Sequence, residues 1–265
     1  MTAERLFSVR NLSFSYGDRR VIRAMDFHVS EGEFVAIVGP NGAGKSTFLK
    51  LLSGYLVPEE GEIEFRGRNL RDYDRRSLAR SVSTLPQSLD VPFSYTVEEF
   101  VAMGRYPHRR GRFGRESGEG RFVEDVMASM GLEGLSGRAV NQLSGGERQK
   151  VYLAQCIAQD PEVLLLDEPV SHLDIKYQIR TLELLHTLNR DGLTILMVLH
   201  DLNLAAEFAS RVVLLSGESL YADGTPEETV TFGNIEAVYD TVVIVRENPV
   251  TGKPFVIPIS KRYLK

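Results

Sequence analysis

The stretch Gly39-Pro40-Asn41-Gly42-Ala43-Gly44-Lys45-Ser46-Thr47 constrains this chain more than any other. It fits G-x-x-x-x-G-K-[ST], a glycine-rich loop whose backbone N–H groups can wrap a phosphate chain. Before it, Phe34-Val35-Ala36-Ile37-Val38 is a short apolar run that reads as a buried strand. Behind it, Thr47-Phe48-Leu49-Lys50-Leu51-Leu52 has the composition and apolar spacing of a helix. Strand, loop and helix in that order deliver an anion to a helix N-terminus, where unpaired N–H groups and the dipole attract negative charge. Glycine is needed wherever a Cβ would block close backbone approach or a turn of positive φ. Lys45 supplies a point charge for the β/γ-phosphates, and the Ser46 hydroxyl is a ligand for Mg²⁺. By itself the loop implies nucleoside triphosphate binding and nothing narrower.

At 265 residues the chain is one large domain, or one domain with a subdomain, and it can bury a substantial core. Its 31 Lys+Arg against 36 Asp+Glu leave a net charge of −5, which lacks the electrostatic footprint of a dedicated nucleic-acid binder. The single cysteine, Cys156, excludes an intramolecular disulfide and sits in an apolar run as a small buried hydrophobe. Val163–Leu166 and Ile195–Leu199 are the strongest apolar runs, far short of the roughly 18 residues of a membrane span. No basic region, apolar run and cleavage site follow one another after Met1. The expectation is a soluble protein whose membrane role, if it has one, comes through a partner.

Leu6–Val9, Leu12–Tyr16 and Val21–Val29 alternate as strands around a turn at Gly17-Asp18, and Gly61–Gly67 as a half-exposed antiparallel strand. Ser81–Pro86 is a short β-like run ending at Gln87. From Thr96 to about Pro161 the pattern is mostly helical, opened by the capping box Thr96-Val97-Glu98-Glu99. Within it, Arg105 to Gly120 reads as a solvated loop, and Phe122–Met130 and Arg148–Gln159 as helices. A β/α alternation then resumes: strand Val163–Leu166, helix Tyr177–Leu188, strand Leu193–Leu199, helix Leu202–Ala209, strand Arg211–Leu215. This predicts an α/β fold with a mostly parallel, helix-covered sheet and a helical insertion between Gln87 and Pro161. Thr225-Pro226-Glu227-Glu228 opens a short helix, and Val242–Arg246 with Phe255–Ile259 forms a hairpin. The expected division of 1–265 is a core of 1–87 and 161–240, a helical subdomain of 88–160 and a β-hairpin extension of 241–265.

A second constellation lies at Val163-Leu164-Leu165-Leu166-Asp167-Glu168, an apolar strand ending in two carboxylates. A carboxylate at such a strand end orders Mg²⁺ beside a phosphate loop, a role that falls to Asp167. Glu168 is then placed to orient or deprotonate an attacking water.

With Leu143-Ser144-Gly145-Gly146-Glu147-Arg148-Gln149 the chain resembles the ATP-binding cassette (ABC) ATPases, whose hallmark is that L-S-G-G-E sequence. The resemblance runs from about Leu6 to Leu215. It implies a RecA-like P-loop NTPase core with an N-terminal antiparallel β-subdomain and an inserted α-helical subdomain, using ATP and Mg²⁺. Tyr16 matches the aromatic that stacks on adenine, and Gly39 through Thr47 the phosphate loop. Gln87 matches the glutamine loop, which gives it metal and catalytic roles beside Ser46 and Asp167. Ser144, Gly145 and Gly146 match the signature, and Glu168 the water-activating carboxylate. Ser171-His172-Leu173-Asp174 matches the loop that crosses the dimer interface, and His200 the switch histidine that contacts the γ-phosphate. The family pattern implies a head-to-tail homodimer in which the phosphate loop of one chain faces the signature of the other. Val170 and Gln155-Cys156 depart from the family's frequent residues, at positions that do not touch phosphate in the matched pattern.

Tyr95-Thr96-Val97-Glu98-Glu99 leading into Gly104-Arg105-Tyr106-Pro107-His108 closely resembles the importers of iron chelates, haem and vitamin B12. Leu199-His200-Asp201-Leu202-Asn203 is typical of the same group. This implies two integral-membrane permease chains as partners, an extracytoplasmic binding protein acting indirectly, no nucleic acid, and a place on the cytoplasmic face of the membrane. Arg105, Arg109, Arg110 and Arg112 read either as a solvated loop or as a basic surface set against a permease or lipid head groups. The rivals are a soluble ABC ATPase of DNA repair or translation, and an exporter subunit. Repair types split the cassette with a long coiled coil, translation types carry two cassettes, and many exporters fuse theirs to a membrane domain.

Overall fold

Two kinds of strand run through the chain, and burial tells them apart. Strands that are buried along their whole length take parallel neighbours with helices on both faces, whereas half-exposed ones pair antiparallel. The computed structural model describes residues 5–87, 89, 93–109, 119–171, 173–260 and 262. In chain order the first elements are β1 (Arg5–Tyr16), β2 (Arg19–Ser30), β3 (Phe34–Val38), α1 (Lys45–Leu52), β4 (Glu60–Phe65) and β5 (Arg68–Asn69). There follow α2 (Arg75–Ser81), β6 (Val82–Leu85), α3 (Val97–Ala102), α4 (Glu119–Ser129), α5 (Gly145–Ala158), β7 (Val163–Asp167) and α6 (Ile175–Arg190). The last are β8 (Thr194–Val198), α7 (Leu202–Phe208), β9 (Arg211–Ser216), β10 (Ser219–Gly224), α8 (Pro226–Thr229), α9 (Phe232–Tyr239), β11 (Val243–Glu247) and β12 (Pro254–Pro258). The chain divides into two compact units, Met1–Asp72 with Leu188–Lys265, and Tyr73–Thr187.

In the first unit β3 runs parallel to β8 and to β9, with Ile37 opposite Val198 and Val38 opposite Leu214, and β10 closes the far side antiparallel to β9. Every residue of β3 and β8 is buried. Arg211 ties these strands at their base. Its guanidinium meets both oxygens of Asp223 at 2.6 and 2.7 Å and Glu33 at 2.9 Å, the paired geometry that makes arginine–carboxylate contacts strong. A separate antiparallel sheet, in the order β2-β1-β4-β5, carries the alternating segments. The break expected between Val9 and Leu12 is a bulge inside one strand: Asn11 adopts φ 46° and its N–H donates to Asp26 Oδ1 at 2.8 Å. Phe48 of α1 meets Phe27 of β2 edge-to-face, ring centres 5.2 Å apart. β11 and β12 form an antiparallel hairpin whose Val256 exchanges hydrogen bonds with the side chain of Asn203 on α7.

The second unit is built on β6 and β7, parallel with Leu85 opposite Leu166, and on the helices α3, α4 and α5. Gly104 lets the end of α3 lie against α5, since a Cβ there would stand 2.3 Å from the Gln155 carbonyl oxygen. The segment after it corrects the reading of Arg105 as part of a solvated loop. The Arg105 side chain is 13% exposed, donates to the Ala158 carbonyl at 3.1 Å, lies 3.8 Å from Asp160 and covers the Phe122 ring at 4.7 Å. A helix C-terminus presents unpaired carbonyls, and a cation beside them satisfies both their hydrogen bonding and the dipole. His108 Nε2 caps the next carbonyl, that of Gln159, at 2.7 Å. Arg76 and Arg80 of α2 hold Pro107 by its carbonyl, at 2.9 and 3.0 Å. The Gln159 side chain ties this knot to α2 through the Ala79 carbonyl and to β6 through the Val82 carbonyl and the Ser83 hydroxyl. Tyr106, 72% exposed, stands clear of it. Arg110 and Arg112 lie outside the described residues, as does His172.

Cys156 sits on the buried side of α5, where burial pushes its thiol up to about 12. A thiol-specific reagent is expected to leave the native protein unmodified and to titrate one thiol per chain after denaturation. Labelling of the native protein at neutral pH would contradict this packing.

Candidate functional site

The first unit brings one set of the expected residues to the carboxyl edge of its parallel strands, where open α/β sheets bind ligands. β3 ends one residue before Gly39 and β8 ends two residues before His200, and their register places the two exits side by side. Gly39 turns the chain with φ 147°, pressed so closely on β9 that a Cβ would lie 2.3 Å from the Leu215 carbonyl oxygen. No other residue type fits there. Gly42 and Gly44 run beside Arg19 and Val21 at the start of β2, and Arg19 pairs with Tyr16 across the turn. Tyr16, half-exposed and edge-on to Phe14 at 5.0 Å, therefore flanks the loop. Asn41 is exposed, Pro40 half-buried and Ala43 buried. The Lys45 side chain is buried and its Nζ donates to the carbonyls of Gly39 and Pro40 at 2.7 and 2.9 Å, which sets the ammonium inside the loop's curve. Ser46 is half-buried and Thr47 buried in the first turn of α1.

The start of α1 fits a triphosphate on structural grounds. Its N-cap, Gly44, is left-handed at φ 90°, offers no side-chain cap, and no acidic residue lies in the first turn. The other α-helices whose N-caps are described carry one: Asp74, Thr96, Ser144, Asp201, Thr225 and Thr231 each accept a hydrogen bond from the first turn. A helix start with no side-chain cap and a buried ammonium beside it is arranged for an anion from outside the chain.

The second unit gathers the other set at the carboxyl ends of β6 and β7. Their register puts Gln87, exposed, on the same edge as Asp167 and Glu168, which are 5% and 9% exposed. Glu168 has left-handed backbone at φ 54°, uncommon for a residue with a side chain and costing about 1–3 kcal/mol. The turn is held by the Ser171 N–H and hydroxyl, both donating to the Glu168 carbonyl, and by Gln149 of α5 and Gln178 of α6 on the next two carbonyls. Such enforced strain fixes where the carboxylate points. The sequence offers no signal for it. Asp174 caps α6 through the Tyr177 N–H at 3.0 Å. Among the described residues no cluster of three or more His, Cys, Asp or Glu side chains could hold a metal alone. Mg²⁺ asks for less, since it binds through one or two carboxylates with substrate phosphates and water. A buried Asp167 at a strand end suits that chemistry.

α5 begins at Gly145, three residues before the expected start, because Ser144 and Glu147 form a capping box. The polar side chains of the signature, Ser144 and Glu147, are thus already engaged with each other. A Cβ on Gly145 would meet nothing within 4 Å, and one on Gly146 only the Leu173 side chain at 3.5 Å. Glycine in a helix costs roughly 1 kcal/mol against alanine, and packing among the described residues gives no reason for either. Bare backbone at an exposed helix start suits the close approach of a ligand from outside.

The ABC transporter family model matches residues 22–171, more than half of the chain. The chain belongs to that family. It is an ABC ATPase with a P-loop NTPase fold. It is 39% identical to the ferric enterobactin transport ATP-binding protein of Escherichia coli, over 94% of this chain and 93% of that one. With the hemin import ATP-binding protein of Nocardia farcinica it shares 43% identity over 91% of this chain and 83% of the relative. An uncharacterized ABC transporter ATP-binding protein of Bacillus subtilis is 40% identical over 93% of this chain, which spans only 56% of that relative's length. Among solved structures, a putative metal-chelate type ABC transporter in an inward-facing conformation superposes with TM-score 0.85. The two are 29% identical, covering 98% of this chain and 99% of the other. A bacterial ABC transporter cassette solved in a dimeric structure matches with TM-score 0.74 and 28% identity, over 83% of this chain and 98% of that one. Among the described residues of this ABC ATPase no helix is long and apolar enough to cross a membrane.

Replacing Lys45 removes the only side-chain cation of the loop. Lys45→Ala is expected to weaken ATP binding itself, by ten-fold or more as a charge-assisted contact is lost, on the order of 1.5–3 kcal/mol. Calorimetry checks this, and unchanged affinity would remove Lys45 from the phosphate loop.

Proposed function

We propose that this ABC ATPase is the ATP-hydrolysing subunit of a bacterial importer for a metal chelate, with ferric siderophore or haem ahead of cobalamin. The observation that carries the reading is similarity along nearly the whole chain to a ferric enterobactin and a hemin import ATP-binding protein at once. The superposition on a metal-chelate type transporter, which includes the segments outside the minimal cassette, supports the same class. Two copies pair head-to-tail beneath two permease chains, on the cytoplasmic face of the membrane, fed by an extracytoplasmic binding protein. The dimeric cassette among its structural neighbours supports the pairing. Repair, translation and export are the rival settings, and co-purification of an integral membrane protein with a tagged copy separates them from import.

In this reading the phosphate loop from Gly39 to Thr47 wraps the phosphates and Lys45 neutralises them, while Tyr16 stacks on the base. Ser46, Gln87 and Asp167 would hold Mg²⁺, which when bound offsets charge on the phosphate oxygens. Glu168 orients or deprotonates the attacking water, and His200 contacts the γ-phosphate. Ser144, Gly145 and Gly146 of the second copy close over it. Loss of the γ-phosphate removes what bridges the copies, so hydrolysis opens the pair.

Glu168→Gln is expected to keep ATP binding and lose turnover by roughly 10²–10⁴, the usual contribution of a general base. Near-normal phosphate release in that variant would remove Glu168 from its role. The two residues of the expected partner-facing segment also separate. Tyr106→Ala should reduce chelate uptake in cells while sparing hydrolysis by the isolated chain. Arg105→Ala should lower the unfolding midpoint, because it leaves the end of α5 uncapped beneath buried surface. Uptake unaffected by the Tyr106 change would place the partner elsewhere. Uptake assays of a deletion strain with haem, siderophores and cobalamin name the cargo.

A further inference from the structure

Ser144 has a single hydroxyl proton, and in this structure it goes to Glu147. The Ser144 hydroxyl donates to Glu147 Oε2 at 2.7 Å, the Ser144 N–H donates to the same oxygen at 2.9 Å, and the Glu147 N–H returns to Ser144 Oγ at 3.4 Å. Arg138 stands 3.9 Å from the other carboxylate oxygen. These bonds, led by that from the Ser144 hydroxyl, hold the Glu147 carboxyl below the usual range, so it is anionic at neutral pH. An anion thus occupies the Ser144 donors at the start of the signature helix. A phosphate arriving there needs the same donors and carries the same sign of charge. Two anions at one helix N-terminus repel, and one serine proton cannot serve both.

We propose that Glu147 is an internal competitor for phosphate: it holds the Ser144 hydroxyl and amide that the second copy's nucleotide must take, and so sets how readily two copies close on ATP. Closure requires Glu147 to release Ser144 and swing aside in both signatures, while the N–H groups of Gly145 and Gly146 stay exposed throughout. When the γ-phosphate leaves, Glu147 recaptures Ser144, which favours reopening. The inference rests on the paired-copy reading above and adds a residue to it. The remaining box geometry is one that glutamine also forms, so the charge can be removed with the helix start kept. An amide accepts the serine proton about half as strongly as a carboxylate and does not repel phosphate.

The test uses the Glu168→Gln protein, in which ATP persists, with self-association followed by analytical ultracentrifugation across an ATP titration. Adding Glu147→Gln is expected to tighten ATP-dependent dimerisation roughly ten-fold, since two caps are weakened per dimer. Glu147→Ala, which frees Ser144 entirely, should act in the same direction despite a lower unfolding midpoint. With ADP, which lacks the competing phosphate, neither change should promote association. A tightening confined to ATP supports the proposal, because general damage to α5 would weaken the dimer instead. Equal or weaker ATP-dependent association in both variants overturns it. If the Glu168→Gln parent fails to associate with ATP at all, the paired-copy reading itself fails and the proposal falls with it.

Discussion

The loop after β3 can turn toward a phosphate chain only because position 39 carries no side chain. β9 lies parallel to β3 at hydrogen-bonding distance and brings the Leu215 carbonyl oxygen to 2.3 Å from where a Cβ would stand. The same pairing that buries the sheet therefore dictates glycine at its exit. From that point Lys45 is drawn inward onto the Gly39 and Pro40 carbonyls, and α1 starts with an uncapped N-terminus. A buried parallel strand, a tight exit and an open helix start form one connected constraint.

A second helix start, that of α5, meets the problem of orphan N–H groups differently. α1 has no side-chain cap, whereas α5 carries a capping box of Ser144 and Glu147. α5 is held at both ends: Gln149 reaches the Pro169 carbonyl beyond β7, and Arg105 and His108 cap the carbonyls of Ala158 and Gln159. The Gln159 side chain carries the tie on to β6, the strand that leads to Gln87. The Glu168 turn, the start of β6 and Ser144 thus all connect to one helix. Exposed Tyr106 lies between Arg105 and His108, the two residues that cap that helix.

Much of this was legible in the residues. Strongly periodic or fully apolar segments such as Phe34–Val38, Val163–Leu166 and Ile195–Val198 form the parallel strands, and both hairpin runs of the tail pair as expected. Segments without a clear face stayed hidden. α2 buries none of its residues, β10 alternates between exposed and half-exposed, and α9 has Gly233 and Asn234 in its first turn, so none carries a strong hydrophobic period. Arg105 shows the reverse error. An arginine among glycines and prolines suggests solvent, yet a helix terminus from another part of the chain supplies it with carbonyls and a ring. Ser144 and Glu147 spell a capping box as plainly as Thr96 and Glu99 do, but the glycines between them draw the eye to phosphate.

The sequence alone determined the chemistry that the chain carries: a phosphate loop, a carboxylate pair at a strand end, a signature and their order. These depend on residue type and short spacing, which a linear string records. Tertiary structure decided what holds each group in place and in which state. The left-handed turn of Glu168 comes from carbonyl contacts with Ser171, Gln149 and Gln178, and the caps at the end of α5 come from residues some fifty positions earlier. Such contacts join residues distant in sequence, and no local propensity encodes them.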